Sequence, residues 1–155
     1  MKSVGKKALS GMMEILMWIL MAMTVAMLAV LPWFVDTLII ANLNPNAQLF
    51  RTQYFVTLSV SGVMALLMLW QARGILHNVN TGTIFSMKTV RRMNMLGAQF
   101  LALAIFYVVM LFCGMTKFAI GLLGLVFFIA GMMMFVFAEL FKEATLYKQE
   151  NDMTI

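Results

Sequence analysis

Two carboxylates stand where an apolar stretch begins or ends: Glu14 directly before the uncharged run Ile15–Val35, and Glu139 directly after the run Phe118–Ala138. An ionisable side chain at a membrane boundary is a candidate for proton or substrate coupling, because its charge state answers to its neighbours there. Both carboxylates also lie within one helical turn of water, and Arg73, Arg91 and Arg92 flank the neighbouring runs. An interfacial ion pair drawn from Glu14, Glu139 and Arg73 is therefore the expected arrangement. Lys88, Arg91 and Arg92 fall at i, i+3 and i+4, one cationic helix face suited to anionic lipid or to a cytoplasmic partner. Among 18 methionines, Met13, Met17 and Met21 line up at i, i+4 and i+8 and raise soft-metal ligation. No His or Cys joins that stripe, and methionine is a common gap-filler, so no metal is expected. His77 is the single histidine and Cys113 the single cysteine, which excludes a paired-histidine site, an intramolecular disulfide and the two-cysteine relay of quinone-linked thiol oxidases. No phosphate-cradling glycine loop, nucleophile elbow or zinc spacing occurs, so a non-enzymatic protein without a cofactor is expected.

The elements that must position these residues are apolar helices. With 63% hydrophobic and 11% charged residues and a mean hydropathy of +0.95, the chain is far more apolar than a soluble domain. Four uncharged runs stand out: Ile15–Val35, Tyr54–Trp70, Met95–Met115 and Phe118–Ala138. Three have 21 residues, enough to cross a hydrocarbon core of about 30 Å; the 17-residue second run needs its flanks, through Gln71 and Arg73. The runs lack the alternation of a barrel strand. The expected fold is all-α, an integral membrane four-helix bundle with spans near 12–35, 53–73, 95–115 and 118–140 and a helical tail over 141–155. At 155 residues it is a single domain.

Orientation follows from lysine and arginine placement. Lys2, Lys6, Lys7, Arg73, Lys88, Arg91, Arg92, Lys142 and Lys148 lie on one side, and Arg51 and Lys117 on the other. Nine against two places both termini and the second loop in the cytoplasm. These basic residues flank apolar runs, where they meet head groups, so direct nucleic-acid binding is not expected. No small-x-small cleavage site follows the first run, so it reads as a span rather than a cleaved leader.

Outside, Thr116 and Lys117 join the third and fourth spans as a tight hairpin, and Asn42, Asn44, Pro45 and Asn46 form a turn-rich loop. Inside, His77–Thr83 reads as a loop. Ser86 can cap a third helix beginning near Met87, with Phe85 and Val90 as a hydrophobic staple. Small residues recur at Ala22, Ala26 and Ala29, at Thr57, Ser61 and Ala65, and at Gly124 and Gly131, a pattern that lets helices approach closely in lipid, within the bundle or across a dimer. Gln99 and the hydroxyls of the second span are the polar groups near the midplane. In the tail, Leu140, Ala144 and Tyr147 share a face that should carry the fourth helix onward until it frays near Asn151.

Two segments resemble the signature of a bacterial family of small four-span membrane proteins, catalogued as domain of unknown function 2975. They are GTIFSMKTVRRMNMLG, Gly82–Gly97, and FAELFKEATLYKQENDMTI, Phe137–Ile155. Ile84 stands where that family usually has proline, a departure that loosens the turn before the third helix. The resemblance implies a bacterial inner-membrane protein without a known activity. Its members are often encoded beside a small helix-turn-helix transcription regulator. The resemblance thus implies a membrane partner of such a regulator, with docking residues Lys88, Arg91, Arg92, Glu139, Phe141, Glu150, Asn151 and Asp152. Two alternatives stand beside it: a small exporter using Glu14, and a subunit of a larger membrane complex.

Overall fold

The computed structural model describes the backbone of residues 2–39, 51–113 and 118–153, and their side chains apart from those of 2–10, 38–39 and 152. The regular structure among these residues is helical. Helix α1 is Lys2–Phe34 and widens into a π-helical turn at Val35–Ile39; α2 is Arg51–Asn80, α3 Met87–Phe112 and α4 Phe118–Met153. Each holds a stretch long and apolar enough to cross a bilayer. Large apolar side chains point outward, Phe112 and Phe118 being 85% and 87% exposed. In hydrocarbon such surface needs no cover, whereas in water it would. The exposed Trp18 and Trp70 near one end and Trp33 near the other match the two aromatic belts of a membrane protein. The chain is an all-α, multi-pass membrane protein.

The helices pack in chain order, α1 on α2, α2 on α3 and α3 on α4; the last interface is the most extensive. Among the described residues, α1 and α4 share no substantial interface, so the four helices form an open row. Neighbours run antiparallel. The start of α1, the α2–α3 turn and the end of α4 therefore meet at one end of the molecule, here called the termini end.

The α3–α4 seam explains itself from the sequence. Gly124, Gly131, Ala138 and Thr145 repeat every seven residues on α4, as do Val90, Gly97 and Ala104 on α3. A seven-residue repeat keeps one stripe facing a partner. A Cβ at Gly131 would lie 3.1 Å from the Gly97 carbonyl oxygen, and one at Gly124 would lie 3.6 Å from that of Ala104. The backbones thus approach where side chains are smallest, which in lipid supplies dispersion contact that hydrophobic exclusion cannot. Ala138 and Thr145 are buried on the same stripe. Around the seam, Leu103, Tyr107 and Ile120 form a core, and Tyr107 stacks on Phe127 at 5.6 Å.

On α1, the face turned to α2 follows Glu14, Met17, Met21, Thr24, Leu28, Leu31 and Val35 in alternating steps of three and four. Leu28 sits over Gly62 of α2. Met17 and Met21 fill this face while Met13 points out, as packing rather than metal ligation would have it. Ala22, Ala26 and Ala29 are exposed and do not pack the bundle, because that stripe is rotated off the contact face. Gly124 and Gly131, by contrast, are used within the chain. Between α2 and α3 the Ser61 and Tyr107 hydroxyls bond at 2.9 Å.

One boundary and one buried face differ from expectation. His77 to Asn80 is helical, because α2 continues to a cap beyond them. The tail buries Ala138 and Thr145 rather than the face of Leu140 and Tyr147, which are 55% and 68% exposed; the seven-residue seam, not the tail's own apolar residues, sets its rotation. The Asn42–Asn46 loop and the Thr116–Lys117 hairpin lie outside the described residues.

Candidate functional site

The residues with chemical capacity gather at the termini end, beginning with the α2–α3 turn. Gly82 has φ +73°, and Gly82 N–H donates to Val79 O at 3.2 Å while Thr83 N–H donates to Asn78 O at 3.0 Å. This pair of bonds ends a helix by satisfying its last carbonyls, and the left-handed residue it requires is a glycine. Ser86, in extended backbone, then caps α3 by accepting from Thr89 N–H. Thr89 is buried, receives the Asn78 amide at 3.0 Å and lies 3.1 Å from the Ser86 hydroxyl. Side-chain bonds hold the turn that carries Ile84. Phe85, the residue expected to staple onto Val90, lays its ring on Phe141 of α4, centroids 6.0 Å apart.

The expected ion pairing is half observed. Glu14 Oε1 lies 3.5 Å from Arg73 Nη2, both side chains about one-third exposed. Glu139 does not join them: it accepts from Lys142 Nζ at 2.8 Å. Its place on α4 explains this, since α4 packs on α3 and not on the helices that carry Glu14 and Arg73, and a lysine one turn along its own helix is nearer than any arginine.

The cationic face predicted over Lys88, Arg91 and Arg92 divides. Lys88 and Arg91 are exposed, whereas Arg92 turns onto α2, where its guanidinium lies against Gly74; a Cβ at position 74 would occupy the same space. Trp70, Arg73, Gly74 and His77 of α2 and Arg92 of α3 line an open pocket of about 220 Å³. Arg73 is sandwiched further: its guanidinium carbon lies 4.3 Å from the centre of the Trp18 ring and 5.9 Å from that of Trp70. Cation–π contact of this kind is worth about 0.5–2 kcal/mol. Trp18, Trp70, Gly74 and His77 went unread as a group in the sequence. The signal is there, since Trp70, Arg73, Gly74 and His77 stand at i, i+3, i+4 and i+7 on one face of α2.

Of the remaining docking candidates, Phe141 is half-buried by its ring contact, and Glu150 and Asn151 lie exposed on the last turns of α4; the Asp152 side chain is outside the described residues. Gln99 is half-buried, and its Oε1 has no hydrogen-bond partner among the described residues. The described residues hold no cluster of three or more His, Cys, Asp or Glu that could bind a metal ion. At the opposite end, Asp36 pairs with Arg51, and the Gln53 amide donates to the Cys113 carbonyl oxygen at 2.8 Å.

No curated protein and no solved structure matches the chain. One family profile does, and it covers the α2–α3 turn, the basic start of α3 and all of α4. Since that match runs over residues 38–155, everything beyond the first helix, the chain belongs to the family described as protein of unknown function (DUF2975).

Proposed function

We propose that this protein is a non-enzymatic membrane anchor whose termini end faces the cytoplasm of a bacterial cell and holds a small helix-turn-helix transcription regulator at the inner membrane. The observation that carries this reading is the contact of Phe85 with Phe141. It joins the α2–α3 turn to the extension of α4, so two segments far apart in sequence meet at one end of the molecule. The turn and the start of α3 offer the exposed Phe85, Met87, Lys88 and Arg91, and the α4 extension offers the exposed Tyr147 and Met153. A mixture of cationic and aromatic side chains on a preorganised support is the composition of a protein-docking surface. The nature of the partner rests on the family resemblance and its gene neighbourhood.

Co-purification of the neighbouring regulator from detergent tests the reading. Removing residues 142–155 is expected to leave insertion intact and abolish co-purification. Because the truncation also removes the buried Thr145, the point variants Tyr147→Ser and Lys88→Glu, at exposed positions, are expected to weaken capture with the helices unchanged. Full capture by both point variants and by the truncated chain would sink the proposal.

A further inference from the structure

We infer that the pocket between α2 and α3 binds a phosphate ester, of the kind an anionic phospholipid head group presents. Two guanidinium groups, Arg73 and Arg92, and the imidazole of His77 line a concave space of about 220 Å³. Glu14 pairs with Arg73 at 3.5 Å. No described carboxylate forms an ion pair with Arg92. With Glu14 pairing Arg73 and Arg92 without an ion-pair partner among the described residues, the pocket keeps an excess positive charge that a bound anion would offset. Arg73 Nε is buried with no hydrogen-bond partner among the described residues, so the guanidinium offers its ligand through the terminal nitrogens. Guanidinium forks match the oxygen geometry of phosphate, and the pocket is smaller than sites that enclose drug-sized ligands, which fits a single head-group moiety.

Two further observations give the site its construction and depth. Gly74 admits the Arg92 guanidinium against the α2 backbone, a position that any side chain at 74 would deny. Trp18 and Trp70, about half exposed, flank Arg73 at the level where indoles sit among head groups. Basic pockets between membrane helices at this depth are suited to anionic lipid. The site does not depend on the docking of a regulator.

The test uses the full chain purified in a neutral detergent, with retained lipid read by native mass spectrometry and tryptophan fluorescence titrated with phosphatidylglycerol, phosphatidylcholine or inorganic phosphate. Phosphatidylglycerol is expected to bind in preference to phosphatidylcholine. Arg92→Gln should weaken it roughly ten- to a hundredfold, the loss of a charge-assisted hydrogen bond. Gly74→Ala keeps every charge but displaces Arg92 and should weaken binding in the same direction. Glu14→Gln removes the competing carboxylate and should tighten it. The pair Lys88→Gln and Arg91→Gln, outside the pocket, should leave binding within about twofold. A response to inorganic phosphate that Arg92→Gln abolishes, without preference between the two lipids, would keep the phosphate site and assign it to a soluble ester. Equal binding by wild type, Arg92→Gln and Gly74→Ala overturns the inference, as does a loss that follows Lys88 and Arg91 instead.

Discussion

The rings of Phe85 and Phe141 stack with centroids 6.0 Å apart and planes inclined by 25°, although 55 residues of chain, including all of α3, separate them. Their contact ties the polar α2–α3 turn to the extension of α4 at the point where both leave the seam. An aromatic pair contributes about 0.5–1.5 kcal/mol beyond its buried area.

Phe141→Ala is therefore expected to loosen the α4 extension locally while the membrane seam stays intact. Limited trypsin digestion should cut faster at Lys142 and Lys148 than in the wild type, with a stability loss of about 1–2 kcal/mol. Unchanged cleavage rates would mean the ring contact does not restrain the tail.

Gly131→Val should separate α3 from α4. A Cβ there meets Leu101 at 2.9 Å and the Gly97 carbonyl oxygen at 3.1 Å; the leucine can move but the backbone cannot without parting the helices, at about 1–3 kcal/mol. Gly11→Ala is the contrast. Nothing lies within 4 Å of its added methyl, so better helix propensity should make it neutral or up to about 1 kcal/mol stabilising. Unfolding in mixed micelles compares the two.

Tyr107→Phe should be mild. Ser61 gives its one hydroxyl hydrogen to the Thr57 carbonyl at 2.6 Å, so Tyr107 is the donor in the 2.9 Å bond between them. Removing it leaves Ser61 satisfied, and hydrogen bonds between membrane helices average about 0.6 kcal/mol. A double-mutant cycle with Ser61→Ala should return a coupling of that size; a coupling near zero would show that the bond contributes nothing.

Cys113, exposed at the end opposite the termini, gives a direct check of the proposed orientation. A membrane-impermeant maleimide should label it in intact cells, whereas the variant Cys113→Ser with Thr81→Cys, its thiol in the α2–α3 turn, should label only after lysis. The reverse pattern would invert the orientation.

How much of this was legible in the sequence depends on the range of the interaction. The α3 start was readable because a cap is local: Ser86 needs only the amide of Thr89. Glu14 and Arg73 were readable as partners because each marks the same end of an apolar run. The extent of α2 past His77 was missed, since Asn78, Thr81 and Thr83 look like loop residues until the Gly82 cap that uses them is recognised. The Arg92 position was out of reach for a different reason. It depends on Gly74 standing opposite across a helix pair, and the rotation of α2 against α3 is a packing outcome that no single-helix pattern fixes. The rotation of the tail belongs to the same class, although its seven-residue spacing through Gly124, Gly131, Ala138 and Thr145 was there to be counted.

The open row in which each helix leans on the one before it has a consequence for how the molecule comes to be made. Its interfaces join elements adjacent along the chain, so the sequence separation of contacting residues is small and loop closure is brief. Each helix can lock onto its predecessor as it leaves the ribosome, with no late step in which the first helix must find the last. Helix α4, whose seam is the most extensive, joins after the first three, and that arrival brings Phe141 to Phe85. The Phe85–Phe141 contact at the termini end therefore comes into existence only once α4 has joined the row.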